Sequence, residues 1–360
     1  MMRKITALLL SMLMIFCMAG CSNTEDEQPE EQINYEIAMV TDAGLIMDGG
    51  YSEVAWKAIT EFGTKNGISH KYYKAAEASQ NAYVDTIANA VEKGAKVIIA
   101  DGHAFEDVVY DAQKQYEDVK FVLIDVQPAD GKNHKVKIAA NTTTIMFASE
   151  QAGYFAGYAA VKEGFTELGF MGDEKNHVIE DYCLGFVQGA DSAAQEYGVQ
   201  VNVKCCYANN EFDNDVIAKK AEKWYKDGTE VILACGSIVE QPVIEAAEIQ
   251  DKKVIGYETD KSAMSDTVIT SAIKDFTGAL ETVLGEYLDD KFPGGEVISY
   301  DASNEGVGIE FKNARFSNLD QGDYKSEMQA VAEGNIMVKD SQKSTLDSLN
   351  LMYVNIEKAD

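Results

Sequence analysis

Six short apolar runs in this sequence each end on a polar or small residue able to contact a ligand. Asp42 closes the run at 37–41, Asp101 with Gly102 closes 96–100, and Asp125 closes 120–124. In the second half Asp173, Cys235 with Gly236, and Glu258 stand at corresponding places. Most of these residues are acids, and a carboxylate accepts hydrogen bonds, so the set suits a small ligand rich in hydroxyl or amine donors. Any one of these aspartates alone could equally be a helix N-cap. Catalysis is poorly supported. The four histidines, His70, His103, His134 and His177, form no Ser/His/Asp or Cys/His arrangement. No G-x-G-x-x-G follows the first run and there is no P-loop. His103, next to a strand end, is either a ligand contact or a surface residue.

The elements that must position these groups alternate. Strands are expected at 35–41, 96–100 and 120–125, and helices at 52–65, 81–93 and 105–116, with Gly67 and Gly94 as helix stops. Strand–helix alternation implies a doubly wound parallel sheet. The pattern then recurs. Residues 37–42 resemble 168–173, Gly67 is matched by Gly198, 94–102 by 228–236, and 120–125 by 253–258, at offsets of 131 to 134 residues. The sequence therefore predicts an α/β protein of two similar parallel-sheet lobes. In such sheets ligands bind beyond the carboxyl ends of the strands, so two facing lobes enclose one cleft. Three crossings make the hinge. Residues 141–147 lead into the second lobe, 270–274 lead back to a helix at 276–289 on the first, and after Pro293-Gly294-Gly295 a strand at 306–311 joins the second. The expected division is 35–143 with 272–297 for the N-terminal lobe, and 144–271 with 298–360 for the C-terminal lobe.

Outside the lobes, residues 1–20 read as a secretory signal. Arg3 and Lys4 precede an apolar run at 5–19 that is too short to span a bilayer. Met18-Ala19-Gly20-Cys21 fits lipoprotein processing, with Cys21 as the acylated N-terminus; a plain secretory signal is the alternative. The polar, acidic stretch at 21–34 reads as a tether from lipid to domain. The formal charge of −29 argues against nucleic acid or anionic lipid as partner. Cys183, Cys205, Cys206 and Cys235 show no zinc spacing and read as buried thiols; neither a metal nor a cofactor is expected.

The stretch from Val40-Thr41-Asp42 through Asp48-Gly49-Gly50-Tyr51-Ser52-Glu53-Val54-Ala55-Trp56 resembles the opening signature of the basic membrane protein family. These are purine nucleoside-binding lipoproteins with a type I periplasmic-binding-protein fold. The similarity continues at Gly185-Phe186-Val187-Gln188-Gly189 and Thr270-Ser271-Ala272-Ile273-Lys274. The resemblance implies a non-enzymatic protein, extracytoplasmic and lipid-anchored, that hands a nucleoside to the membrane subunits of an ABC transporter. It also implies roles. Tyr51 stacks on the base and Asp42 bonds its edge. Asp125, Glu258 and Lys274 hold the ribose, and Gly236 lets backbone approach the sugar. Asp101 and Gly102, taken from their place at a strand end, complete the expected ligand-binding set. Departures from the family pattern are Gly50-Tyr51-Ser52-Glu53 in place of Ser-Phe-Asn-Gln, Glu258 in place of Asp, and a shorter segment between Glu258 and Lys274. They leave a sugar or other polar solute, or a surface lipoprotein without a transport role, as alternatives.

Overall fold

A computed structural model describes residues 34–43, 51–209 and 213–359, with backbone only for Tyr51 and Asp101. The expected signal, Cys21 and most of the tether lie outside the described residues.

The first lobe is a six-stranded parallel sheet ordered β11-β5-β4-β3-β1-β2. Its strands are β1 (Ile37–Thr41), β2 (His70–Lys74), β3 (Val97–Asp101), β4 (Lys120–Ile124), β5 (Thr142–Phe147) and β11 (Val297–Tyr300). The second lobe is ordered β12-β10-β9-β8-β6-β7-β13. It holds β6 (Glu167–Gly172), β7 (Val201–Tyr207), β8 (Val231–Cys235), β9 (Lys253–Glu258), β10 (Val268–Lys274), β12 (Val307–Ile309) and β13 (Val354–Lys358). Only β12 pairs antiparallel among these. The central strands are buried along their whole length, as β1 and β8 show, because helices cover both faces of a parallel sheet. Alternate residues feed opposite cores: Ile37 and Met39 face one cluster, Ala38 and Val40 the other.

The helices are α1 (Tyr51–Asn66), α2 (Gln80–Glu92), α3 (Glu106–Gln115), α4 (Ser149–Lys162), α5 (His177–Tyr197), α6 (Asn214–Lys226), α7 (Ser237–Gln250), α8 (Phe276–Leu288) and α9 (Gln321–Ala332). The expected elements are present with ends moved by one or two residues, and the 276–289 helix packs on α1 in the first lobe. A tight pair, α4 and α5, underlies the second sheet. A Cβ on Gly157 would lie 1.9 Å from the Phe186 carbonyl oxygen, and one on Gly185 1.8 Å from that of Glu150. Gly153/Gly157 and Gly185/Gly189 thus let two backbones touch, which no larger residue allows.

The expected lobe boundaries fall inside strands. Residues 144–147 stay in the first sheet, since β5 pairs with β4 through Ile124↔Ile145. Residues 298–300 also belong there, because β11 pairs with β5 through Tyr300↔Phe147. Residues 272–274 complete β10 in the second sheet, paired to β9 at Ile273↔Glu258 and to β12 at Lys274↔Val307. A strand holds its ladder to the last pair, so each crossing comes at a strand end. The tail at 341–359 forms a short 3-10 turn and the edge strand β13, parallel to β7. Asp191 on α5 fixes it by accepting the N–H groups of Met352, Tyr353 and Val354 at 2.6 to 3.0 Å.

Candidate functional site

The strand ends of the two lobes meet at one lysine. Lys274, the last residue of β10, has a fully buried side chain. Its Nζ donates to Asp125 Oδ2 at 2.7 Å and to Glu258 Oε1 at 3.0 Å. Asp125 follows β4 in the first lobe, while Glu258 ends β9 in the second, so the ammonium ties the lobes together. Phe147, Tyr182 and Phe276 place their rings 5.3 to 6.0 Å from the same nitrogen, adding the attraction of three π faces. Burial alone would lower the Lys274 amine. The two carboxylates outweigh it and hold the amine protonated, above its ordinary value.

Asp125 and Glu258 share a backbone feature as well. Both have φ of 58°, the left-handed region that non-glycine residues seldom occupy. Such a turn costs on the order of 1–2 kcal/mol per residue, and it aims both carboxylates back at the hinge. Asp125 is further fixed on either side. Its Oδ1 accepts the Phe147 N–H at 3.0 Å, and its carbonyl oxygen lies 3.0 Å from His177 Nε2. Since a carbonyl only accepts, His177 must carry its proton on Nε2 there. His177 opens α5 of the second lobe, so this is another bond between lobes.

A cavity of about 180 Å³ lies around these groups. Gly102, His103, Asp125 and Val126 line it from the first lobe; Asn176, His177, Tyr257 and Glu258 line it from the second. His103 is exposed, donates from Nδ1 to Glu106 Oε2 at 2.9 Å, and meets His177 edge-on across the interface at 6.3 Å between centroids. Just past the end of β8, which lies next to β9 in the second sheet, Gly236 caps α7 with φ of 124°. A Cβ there would sit 2.1 Å from Asp173 Oδ2. Asp173 follows β6, and its carboxyl is pushed up to about 6, first by burial, against the lowering effect of the Glu174 N–H, and with Glu258 adding like charge. Its Oδ1 accepts that N–H at 2.6 Å.

The structure thus brings together Asp125, Glu258 and Lys274, and places Gly102 on the same cavity. Gly236 stands against Asp173 on the neighbouring strand ends. Asp42 follows β1 at the exposed end of the strand. Tyr51 begins α1 and Asp101 ends β3, but their side chains lie outside the described residues, as does Cys21. His177, Tyr257 and Tyr182 are contacts that strand-end reasoning misses. The first follows a strand by a short loop, so a search of helix starts as well as strand ends would have found it. Tyr182 is fully buried, with a hydroxyl that has no hydrogen-bond partner. Among the described residues no cluster of three or more His, Cys, Asp or Glu is arranged for a metal ion.

A larger cavity, about 700 Å³, is lined wholly by the second lobe, near the end of β7. The interlobe cavity is the better candidate for the main site, because both lobes and the buried charges converge on it.

Comparison with known proteins agrees with this layout. Residues 35–342 match the model of a family described as ABC transporter substrate-binding protein PnrA-like. An ABC transporter nucleoside-binding protein, BmpA, of Lactococcus lactis subsp. cremoris is 26% identical over 337 residues, covering 87% of this chain and 92% of its own length. Basic membrane protein D of Borreliella burgdorferi is 25% identical over 314 residues, covering 86% of this chain and 87% of its own. Among solved structures, a solute-binding protein of an ABC transporter system from Aeropyrum pernix K1 superposes with a TM-score of 0.71 at 14% identity, covering 86% of this chain and 94% of that one. At that identity the likeness speaks for the fold alone. The sequence match over most of both lobes makes this chain a member of the PnrA-like family of ABC transporter substrate-binding proteins.

Proposed function

We propose that this protein captures a purine nucleoside between its lobes, outside the cytoplasm, and delivers it to the membrane subunits of an ABC transporter. The observation that carries the reading is the convergence of Asp125 and Glu258, from opposite lobes, on the buried Lys274. Two carboxylates can accept both hydroxyls of a ribose, and an ammonium held between them can donate to its oxygens. Tyr51 at the start of α1 supplies the stacking ring, Asp42 the acceptor for the base edge, and Gly102 and Gly236 the backbone approaches to the sugar. Asp101 closes the first-lobe side. The relative from Lactococcus named as nucleoside-binding supports the same ligand class.

The work done is binding, with no bond made or broken in the ligand. A ligand touching both lobes favours the arrangement in which they meet, in proportion to the contacts it has only there. Cys21, acylated at the head of the tether, keeps the protein at the membrane where the transporter is.

One observation favours a second reading. The described walls enclose only about 180 Å³, below the roughly 300–1,000 Å³ common for ligand pockets, which suits a free sugar. Isothermal titration calorimetry of the chain starting after Cys21, against guanosine, inosine, adenosine, cytidine and ribose, separates the two. Micromolar or tighter binding of purine nucleosides with weak ribose supports the proposal. Ribose alone supports a sugar-binding protein, and silence from all five contradicts both.

A further inference from the structure

All four cysteines of the lobes lie in the second one, buried and unpaired. Two of them touch. Cys183 on α5 and Cys205 on β7 place their Sγ atoms 3.7 Å apart. They share the core between the second sheet and its underlying helices, whereas Cys206, the next residue along the strand, points into the core on the other face. Cys205 also lines the cavity of about 700 Å³ at the end of β7, together with Leu184, Cys206, Tyr207 and Lys220. Cys205 is buried, and its thiol is raised above the ordinary range, first by the Cys183 contact and then by burial. A small reagent in the cavity borders this residue, and Cys183 lies directly behind it.

We propose that Cys183 and Cys205 are a dithiol modification site, converted to an intramolecular disulfide by low-molecular-weight disulfides that enter this cavity. The contact distance must shorten from 3.7 Å to about 2.05 Å, which side-chain rotation on two adjoining elements can supply. In the first step the Cys205 thiolate attacks one sulfur of the reagent. A mixed disulfide forms, and one reagent thiolate leaves. In the second the Cys183 thiolate attacks Cys205 Sγ, forming the protein disulfide and displacing the other reagent thiolate. The two cysteine protons end on the two released thiols, and the two electrons lost by the cysteines reduce the reagent, so the exchange balances without any further oxidant. The product closes a loop from 183 to 205 and clamps α5, whose first residue is His177 at the cleft, to the sheet. The inference does not depend on which ligand the cleft holds.

The test uses the full folded chain with neutral 2-hydroxyethyl disulfide, followed by acid quench, alkylation of remaining thiols and site-resolved mass spectrometry. The expected result is a Cys183–Cys205 linked peptide, with loss of two hydrogens and both sites protected from alkylation, while Cys206 and Cys235 stay alkylatable. The Cys183→Ser variant is expected to stop at the mixed disulfide, keeping one hydroxyethyl thiol on Cys205. Cys206→Ser is expected to link as the wild type does. The proposal is overturned if Cys183 and Cys205 both remain free, if Cys205 links instead to Cys206 or Cys235, or if wild-type Cys205 accumulates as the mixed disulfide. The wild-type mapping decides the matter even where a variant fails to fold.

Discussion

The two lobes carry the same corner twice and finish it differently. Asp125 and Glu258 occupy equivalent strand ends, share a φ of 58° and reach the same lysine. Yet Asp125 is also held by the Phe147 N–H and the His177 ring, while Glu258 is a methylene longer and belongs to the same sheet as Lys274. The glycines one strand over differ in a parallel way. Behind Gly102 a Cβ would meet nothing within 4 Å, whereas behind Gly236 it would meet Asp173. The backbone of the corner is thus what the repeat preserves, and side-chain length and backing decide what each copy does. The first-lobe copy anchors the interface; the second-lobe copy crowds acids around the cleft.

Removing the shared partner strikes both copies at once. Lys274→Met leaves two carboxylates facing each other in a largely dry site, and is expected to cost about 3–5 kcal/mol in urea unfolding. A cost below about 1 kcal/mol would mean the lobes do not depend on this lysine. Next come the glycines. Both Gly102 and Gly236 sit where an L-residue is strained, so alanine costs about 1–3 kcal/mol at either. Gly236→Ala also displaces the Asp173 carboxylate, so it should exceed Gly102→Ala by about 1 kcal/mol or more. Equal losses would show that the backing of Gly236 is soft.

Two partly buried acids, Asp173 at the second-lobe corner and Glu150 on α4, predict a pH effect of roughly 3 kcal/mol each. Asp173 titrates near 6 in the folded protein against 3.8 ordinarily, and Glu150, at the start of α4, near 7 against 4.5, both first through burial. The folded protein therefore holds protons that the unfolded chain has released. Stability from these groups falls as pH rises through about 4 to 7 and is regained on acidification from 7 toward 5. Melting temperature followed over that range should show it, and Asp173→Asn should flatten the part between about 4 and 6. A wild-type profile that rises with pH there would contradict the assignment. The smallest difference expected lies between the two acids themselves. Asp125→Asn should cost about 1 kcal/mol more than Glu258→Gln, because the Asp125 carboxylate accepts the Phe147 N–H as well as the Lys274 ammonium; the reverse order would place the anchor in the second lobe.

The corners were legible in sequence because parallel strands are short continuous apolar runs, and a run that stops on Asp or Glu marks its own carboxyl end. The repeat, seen as matched runs such as 94–102 and 228–236, carried the two-lobe architecture with it. What stayed hidden depends on contacts distant in the chain. His177 reaches Asp125 across the interface, and no local pattern announces that meeting. The edge strands β2 and β13 are short and half exposed, so they lack the apolar run that marked the others. The lobe boundaries slipped by a few residues because pairing to β4, β5 and β9, rather than composition, decides where β5, β11 and β10 end.

The central claim is that the paired corners, joined through Lys274, read the hydroxyls of a ribose. It is tested most directly by titrating inosine and 2′,3′-dideoxyinosine calorimetrically into the wild type and into Glu258→Gln. The account predicts at least about tenfold weaker wild-type binding of the dideoxy compound, the worth of one hydrogen bond to a charged group, and a much smaller ratio in the variant. Equal affinities of the wild type for both nucleosides would contradict it.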